Sequence, residues 1–421
     1  MAVIKEFSAV RFTNKGGNIG DLCCPPYDII SDAEKQEFLN KNKNNIIKLE
    51  LPDATPQGYK NAADTFKEWM NTGILAEDST ENLYIYEEEF SVNGKKYAFR
   101  GFTCRVQLAE FSEGVVLPHE ETLSKAKADR FNLLESTGCS FSQIYGLYRD
   151  AGNVTAPVIN ELSAGVPNAE FCDAAGVTHR LWVAQKSEKT AEIVKQFKNR
   201  KIYIADGHHR YETALNFRRY LKEKGVECDA AQYVMMFLVN MENSGLVVFP
   251  THRIVRDVAN FNGEKMLKNC EKYFTVTEIE KKDVQPALDA AYNAGQKAFV
   301  YADKHNIKLL VLKDLAFADN KAPEKSESLR RLDVSVLHNL VLEECFKIDK
   351  ENMANQKNLT YTRSADEAFD AANTYADCAF ILNPTRITEI ADVAAAGEKM
   401  PQKSTYFYPK LVTGLVINKV L

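Results

Sequence analysis

"KIYIADGHHRYETALNFRRYLKEKG", residues 201–225, is the stretch on which the reading of this chain turns. A short strand-like run, Ile202 to Ala205, meets Asp206-Gly207-His208-His209-Arg210, and a helix-like pattern follows. A strand that ends there, with a helix starting near His208, leaves the amides of Gly207 to Arg210 as unsatisfied first-turn donors. These amides carry the positive end of the helix dipole, which makes the turn a natural phosphate site. Gly207 lets the backbone approach a ligand closely. Arg210 offers a bidentate fork to phosphate oxygens. His208 and His209 can donate to phosphate or shuttle a proton near neutral pH. Asp206 suits a site for anions only if it holds Mg²⁺ or orients a hydroxyl acceptor. An Asp cap, a glycine turn and backbone-bonded histidines are the plain structural alternative; five such residues together favour a site. A histidine metal centre is disfavoured, because H-x-H and H-x₃-H spacings are absent and adjacent side chains at a turn diverge.

Outward from this stretch, strand and helix signals alternate. Ser31 to Glu34 form a capping box. "IIKLEL" (46–51) reads as a short strand, and "YKNAADTFKEWMNTG" as an amphipathic helix closed by Gly73. "NLYIYEEEFSVNGKKYAFRGFTCRVQL" reads as a β-hairpin turned at Asn93-Gly94. Beyond about 260 the alternation shortens, with a long helix expected from Ser326 to Phe346. At 421 residues the chain exceeds one ordinary core. Two regions are expected: 1–260, an N-terminal α/β region that holds the phosphate-site turn, and 261–421, a C-terminal α/β region. The fold class is α/β to α+β.

The net charge of -5 argues against a broad nucleic-acid-binding face. No run of about 18 apolar residues is present, so no membrane partner is expected. Nine cysteines, none in a C-x-x-C, read as reduced thiols, and with a start lacking a signal-type apolar segment they point to the cytoplasm.

The motif "DGHHRYETA" resembles the Gly-x-[His/Arg]-Arg turn of the ParB/sulfiredoxin-like superfamily, and is similar to the Asp-Gly-His-x-Arg motif of its free serine kinases. The whole chain resembles a full-length bacterial and archaeal family of unknown function, through "CCPPYDII" (23–30), "PHEETLSKAKADR" (118–130), the turn, "FPTHRIV" (249–255) and "MPQKSTYFYPKLVTGLV" (400–416). The resemblance implies a ParB/sulfiredoxin-like mixed α/β core elaborated by further α/β segments. It implies that Gly207, His208, His209 and Arg210 bind nucleotide phosphates. His208 stands where sulfiredoxin has its reactive cysteine, which counts against sulfur chemistry, and no basic DNA-binding domain of ParB type is found.

Four further polar stretches complete the candidate set. His119, Glu120, Thr122, Lys125, Lys127, Asp129 and Arg130 suit a loop over a polyanion, with Glu120 able to take a proton from a hydroxyl. Tyr27 and Asp28 follow two prolines and are candidates for substrate binding. His252 and Arg253 interrupt an apolar strand, where a buried charge calls for an anionic ligand or a carboxylate. Gln402, Lys403, Ser404, Thr405, Tyr406, Tyr408 and Lys410 form a donor-rich tail suited to clamping a carboxylate or phosphate, and 400–416 is expected to complete the active site.

The expected activity is a nucleotide-dependent phosphotransferase on a small hydroxyl metabolite, with free L-serine and O-phosphoserine as the pair the resemblance implies. ATP or ADP and Mg²⁺ are the expected cofactors. Asp206 is the expected metal ligand, Glu120 the general base with Asp28 and Glu50 in reserve, and His209 a further catalytic group. Gly207, His208, Arg210, Lys127 and Arg130 would bind the nucleotide, and Tyr27, Asp28, His119, His252, Arg253, Lys403, Ser404 and Thr405 the substrate. A non-catalytic nucleotide-binding regulator and a small-metabolite phosphoesterase are the alternatives; the expected partners are small molecules, with a homodimer allowed.

Overall fold

Asn93 and Gly94 both take positive φ, 51° and 76°, and this two-residue turn folds Asn82–Val92 back on Lys95–Gln107. Both residues tolerate that backbone, so the turn matches the twist of the strands it joins. In the computed structural model the hairpin lies within a mixed sheet, nine-stranded among the described residues. The structure describes every residue but 121, 123 and 356, with the backbone alone at 124, 125, 350 and 354.

The chain divides into two units. The first comprises Met1–Pro118, Thr122–Val247 and Pro409–Leu421; the second comprises His119–Glu121 and Val248–Tyr408. The division therefore falls at 247/248, earlier than the 260 read from the sequence, and the last thirteen residues, 409–421, lie in the first unit. The reason is pairing. His252–Val255 joins the second sheet between Cys378–Leu382 and Leu359–Thr362. The tail instead bonds to first-unit backbone, Val10 to Ile417 and Cys24 to Thr413, and Asn418–Lys419 pairs with Cys139–Ser140.

In the first unit the strand order is Val116–Leu117, Ile202–Asp206, Ile144–Tyr148, Tyr233–Asn240, Lys95–Gln107, Asn82–Val92, Thr178–Gln185 and Ala169–Cys172, with Ile4–Lys5 also on Lys95–Gln107. Ile202–Asp206 runs parallel to Val116–Leu117, and Tyr233–Asn240 parallel to Ile144–Tyr148; the other pairs are antiparallel. One core packs Ile85, Phe102, Ile204, Tyr211 and Met236. Another packs Ile47, Leu49, Trp69, Phe141 and Ile417. The second unit has an antiparallel sheet, six-stranded among the described residues, with cores around Phe299, Leu337 and Phe380 and around Val300, Leu288 and Phe369. The protein is mixed α/β, as expected.

Two local readings change. "IIKLEL" is helical at Ile47–Glu50, because the Asn45 side chain accepts from the Ile47 amide and donates to the carbonyls of Asp21 and Cys23, fixing a turn. A short apolar run cannot tell strand from helix by its period. The long helix expected at 326–346 is broken into Glu327–Arg330, Asp333–Val336 and a π-helix, Leu337–Glu343, since Leu332 adopts extended backbone between the first two.

Candidate functional site

Strand Ile202–Asp206 ends at a register irregularity against Ile144–Tyr148, and Gly207 follows at φ 92°. Helix His208–Glu223 starts at the next residue, with the Tyr211 amide donating to the Gly207 carbonyl at 3.0 Å. A side chain at Gly207 would be strained, because its φ lies in the left-handed region, and a Cβ there would sit 3.0 Å from Arg210 Nε, so the guanidinium would have to shift. Arg210 folds back over the turn. Its Nη2 donates to Asp206 Oδ2 at 2.8 Å and its Nη1 to the Gln143 carbonyl, while Nε has no partner among the described residues. Lys410, from the tail, donates to the other oxygen, Asp206 Oδ1, at 2.8 Å. Burial alone would raise the Asp206 carboxyl; Lys410 and Arg210, then His208, more than offset this and hold it well below the usual carboxylate range. His208 is buried and His209 half-buried on the same first turn.

A second ionic group lies in the same unit. Arg130 Nη1 donates to the Glu50 carbonyl at 2.7 Å and stands 3.5 Å from Glu50 Oε1, while Nε and Nη2 bond Asp129 Oδ2. Ser142 Oγ donates to Glu50 Oε1 at 2.7 Å. The Arg130 guanidinium carbon stands 4.0 Å from the centre of the Tyr27 ring. Burial raises the Glu50 carboxyl, and the opposing effects of Arg130, Ser142 and Arg210 do not cancel it. Tyr27 is pushed up to about 12, by burial first, although Arg210 and Arg130 act against it; the charges of Asp28 and Glu50 also reach it. A cavity of about 50 Å³ is lined by Glu50, Arg130, Ser142 and Arg210 among others. Lys127 is not turned out toward solvent: its Nζ bonds Glu212 Oε2 at 2.7 Å, and Thr122 Oγ1 donates to the same oxygen. The side chain of Lys125 lies outside the described residues.

The remaining candidates belong to the second unit. His119 Nε2 is 3.0 Å from Thr405 Oγ1, and its carbonyl accepts from the Met400 amide. Glu120 Oε1 accepts from the Lys403 amide at 3.0 Å. Ser404 Oγ donates to the Pro401 carbonyl, and Lys403 has a left-handed φ of 58°. Arg253 is 1% exposed. Its hydrogen-bond partners among the described residues are the carbonyls of Thr251 and Lys403, the Glu120 carboxylate acts on it electrostatically, and its guanidinium lies 5.4 Å from the centre of the Tyr361 ring. Burial pushes it down to about 10, with Tyr361 and Glu120 opposing. His252 is neutral, held down at about 4 by burial and by Arg253, and its Nδ1 accepts from the Leu382 amide. Its ring nitrogen serves the sheet.

Asp206 does not fit the role of metal ligand, because each of its oxygens already pairs with a cation. Among the described residues, no group of three or more His, Cys, Asp or Glu could hold a metal ion. Gln143, Ser142 and Glu212 are site neighbours that the sequence reading did not identify. Glu212 lies within the quoted DGHHRYETA stretch, but its pairing with Lys127 is tertiary, as are the contact of Ser142 with Glu50 and the backbone carbonyls that Arg210 and Arg130 use.

No helix among the described residues is long and apolar enough to cross a membrane. The chain matches no curated protein. Among solved structures it is similar to a free serine kinase in complex with ADP, at 14% identity and a TM-score of 0.37, over 73% of this chain and 89% of that one. It is also similar to a conserved hypothetical protein from Pyrococcus furiosus (14%, TM-score 0.33, 70% and 87%). A third is SbnI with C-terminal truncation from Staphylococcus aureus (11%, TM-score 0.35, 74% and 86%). The sequence profile described as protein of unknown function, DUF1015, matches residues 4–335, and the chain belongs to that family.

Proposed function

We propose that the chain is a nucleotide-dependent phosphotransferase that uses ATP or ADP and acts on a small hydroxyl metabolite, with free L-serine and O-phosphoserine as the pair. The observation that carries this reading is the turn Asp206-Gly207-His208, where a strand end, a left-handed glycine and a helix start coincide with two cations on one carboxylate. The first-turn amides of the helix supply oriented donors for phosphate oxygens. Arg210 and Lys410 supply positive charge there, and Asp206 holds both in place. Phosphoryl transfer is largely positioning and charge neutralisation, so preorganised cations are what it needs. No step in this reading runs through a metal on Asp206. For the base, Glu50 belongs to the same unit and its carboxyl is raised by burial, the direction that makes a carboxylate a stronger base. Glu120, the carboxylate favoured on sequence grounds, accepts the Lys403 amide. The resemblance of the turn to that of free serine kinases supports the serine/phosphoserine pair.

The test is calorimetric titration with ATP and ADP beside a phosphoserine/serine exchange assay. Arg210→Ala should weaken nucleotide binding about tenfold or more, since charge-assisted hydrogen bonds contribute roughly 1.5–3 kcal/mol each. Glu50→Gln should lower kcat by about 10²-fold or more at nearly constant nucleotide Kd. If Glu120→Gln alone has that effect, the base is Glu120. A wild type that binds nucleotide without turnover is a regulator, and one that binds none ends the proposal.

A further inference from the structure

In the second unit, helix Asp333–Val336 runs directly into the π-helix Leu337–Glu343. Bonding from i to i+5 is rare and is frequently found at functional sites. Here it brings His338 and Glu343, five residues apart, to the same cavity as Ser335 and Asn339, a space of about 240 Å³. Ser335 Oγ, His338 Nε2 and Glu343 Oε1 are all buried with no hydrogen-bond partner among the described residues. Ser335 is 4% exposed and His338 6%. Most buried polar groups in a folded protein are hydrogen-bonded, and three orphaned atoms gathered around a single cavity call for an occupant.

The surrounding charges narrow its class. Glu324 and Glu343 disfavour an anion. Lys325, Lys399 and Arg330, the last paired with Asp319, also line the cavity and disfavour a cation. His338 adds no charge, because burial and then nearby Arg253 keep its imidazole neutral. Leu329, Pro401 and the Tyr361 ring supply apolar surface. Hydroxyl groups both donate and accept, so they can satisfy a serine hydroxyl, a neutral imidazole and a carboxylate together. We infer that this cavity binds an uncharged polyhydroxylated metabolite, a sugar or cyclitol, whose hydroxyls bond Ser335, His338 and Glu343 while its C–H face lies on apolar wall. The inference stands on the second unit alone and is independent of the nucleotide reading.

The experiment is saturation-transfer NMR and calorimetry on the full chain with D-glucose, D-ribose and myo-inositol at millimolar concentration, without nucleotide. At least one should bind. Glu343→Gln, checked for folding by circular dichroism, should weaken that binding about tenfold through loss of a hydrogen bond to a charged group. Ser335→Ala should also weaken it while leaving the ligand-free Tm unchanged or raised, because it removes a buried hydroxyl that has no partner. Failure of all three probes to bind wild type overturns the inference, as does binding that both variants leave intact. A fall in Tm for Ser335→Ala overturns its premise.

Discussion

Arg130, in the first unit, and Arg253, in the second, are 6% and 1% exposed, and they are accommodated in different ways. Arg130 sits among carboxylates: Asp129 takes two of its nitrogens, Glu50 stands at 3.5 Å, and Tyr27 covers its face. Arg253 hydrogen-bonds only carbonyl oxygens and leaves Nε without a partner among the described residues. The turn at Asp206 repeats the first pattern, with Lys410 and Arg210 on one carboxylate. At Arg130 and Asp206 charge is neutralised by bonded partners of opposite sign, whereas at Arg253 it is held among backbone dipoles; elsewhere the second unit pairs its charges too, as Asp319 does with Arg330 and Arg331. A paired cluster depends on every member, so the two regions should respond differently to removal of one group.

The largest effect should come from deleting residues 409–421. Leu411, Val412, Leu415, Val416, Ile417 and Val420 are buried, and at about 1.5–3 kcal/mol each their burial rivals the roughly 5–15 kcal/mol stability of a domain. The expected outcome is loss of cooperative folding in the first unit, read by hydrogen exchange, with protection retained in Cys378–Leu382. Retained protection in Tyr233–Asn240 would show the tail to be dispensable to that unit.

Next comes the contrast between single substitutions. Asp206→Ala leaves Lys410 and Arg210 without their shared carboxylate and should destabilise by about 3–5 kcal/mol in urea unfolding. Arg253→Met removes a charge that has no bonded carboxylate, so the expected loss is below about 2 kcal/mol. Equal losses would erase the distinction between the two regions.

The smallest effects should appear with pH, and with opposite signs. In the first unit, burial would lower His179, but its bonds to Asp173 and Glu88 raise it to about 9. That stabilisation is complete below the unfolded value of 6.5 and is lost as pH rises through about 9. In the second unit His252 is held at about 4, so the folded state refuses a proton that the unfolded chain accepts, and stability is lost as pH falls from 6.5 toward 4. Hydrogen exchange, corrected for intrinsic rate, should show Thr178–Gln185 loosening toward alkaline pH and His252–Val255 toward acid. The same direction in both strands would contradict the assignment.

Legibility in the sequence followed the range of the interactions. Asn93-Gly94, the Ser31 capping box and the strand–Gly207–helix transition are local chemistry, and each was readable from a few adjacent residues. Ile47–Glu50 was misread because Ile-Lys-Leu-Glu alternates apolar and charged residues as a strand does, over a length too short to separate strand from helix. The excursion of His119–Glu121 into the second unit, and the return of 409–421 to the first, depend on partners hundreds of residues away. Lys410 could be seen as a donor, but its pairing with Asp206 could not. The π-helix was hidden because its register departs from the helical period by which the segment was read.

The discontinuity of the first unit has a consequence for synthesis. During translation, residues 1–247 emerge first but lack the segment that closes their fold, while 248–408 are complete before 409–421 leave the ribosome. Domains usually mature from the N-terminus onward. Here the later-made unit can finish first, and the earlier one must wait with Ile47, Trp69 and Phe141 short of their partner Ile417. The nascent chain therefore exposes an incomplete apolar core for the whole time it takes to make the second unit, and that interval is where chaperone dependence and aggregation of this protein should concentrate.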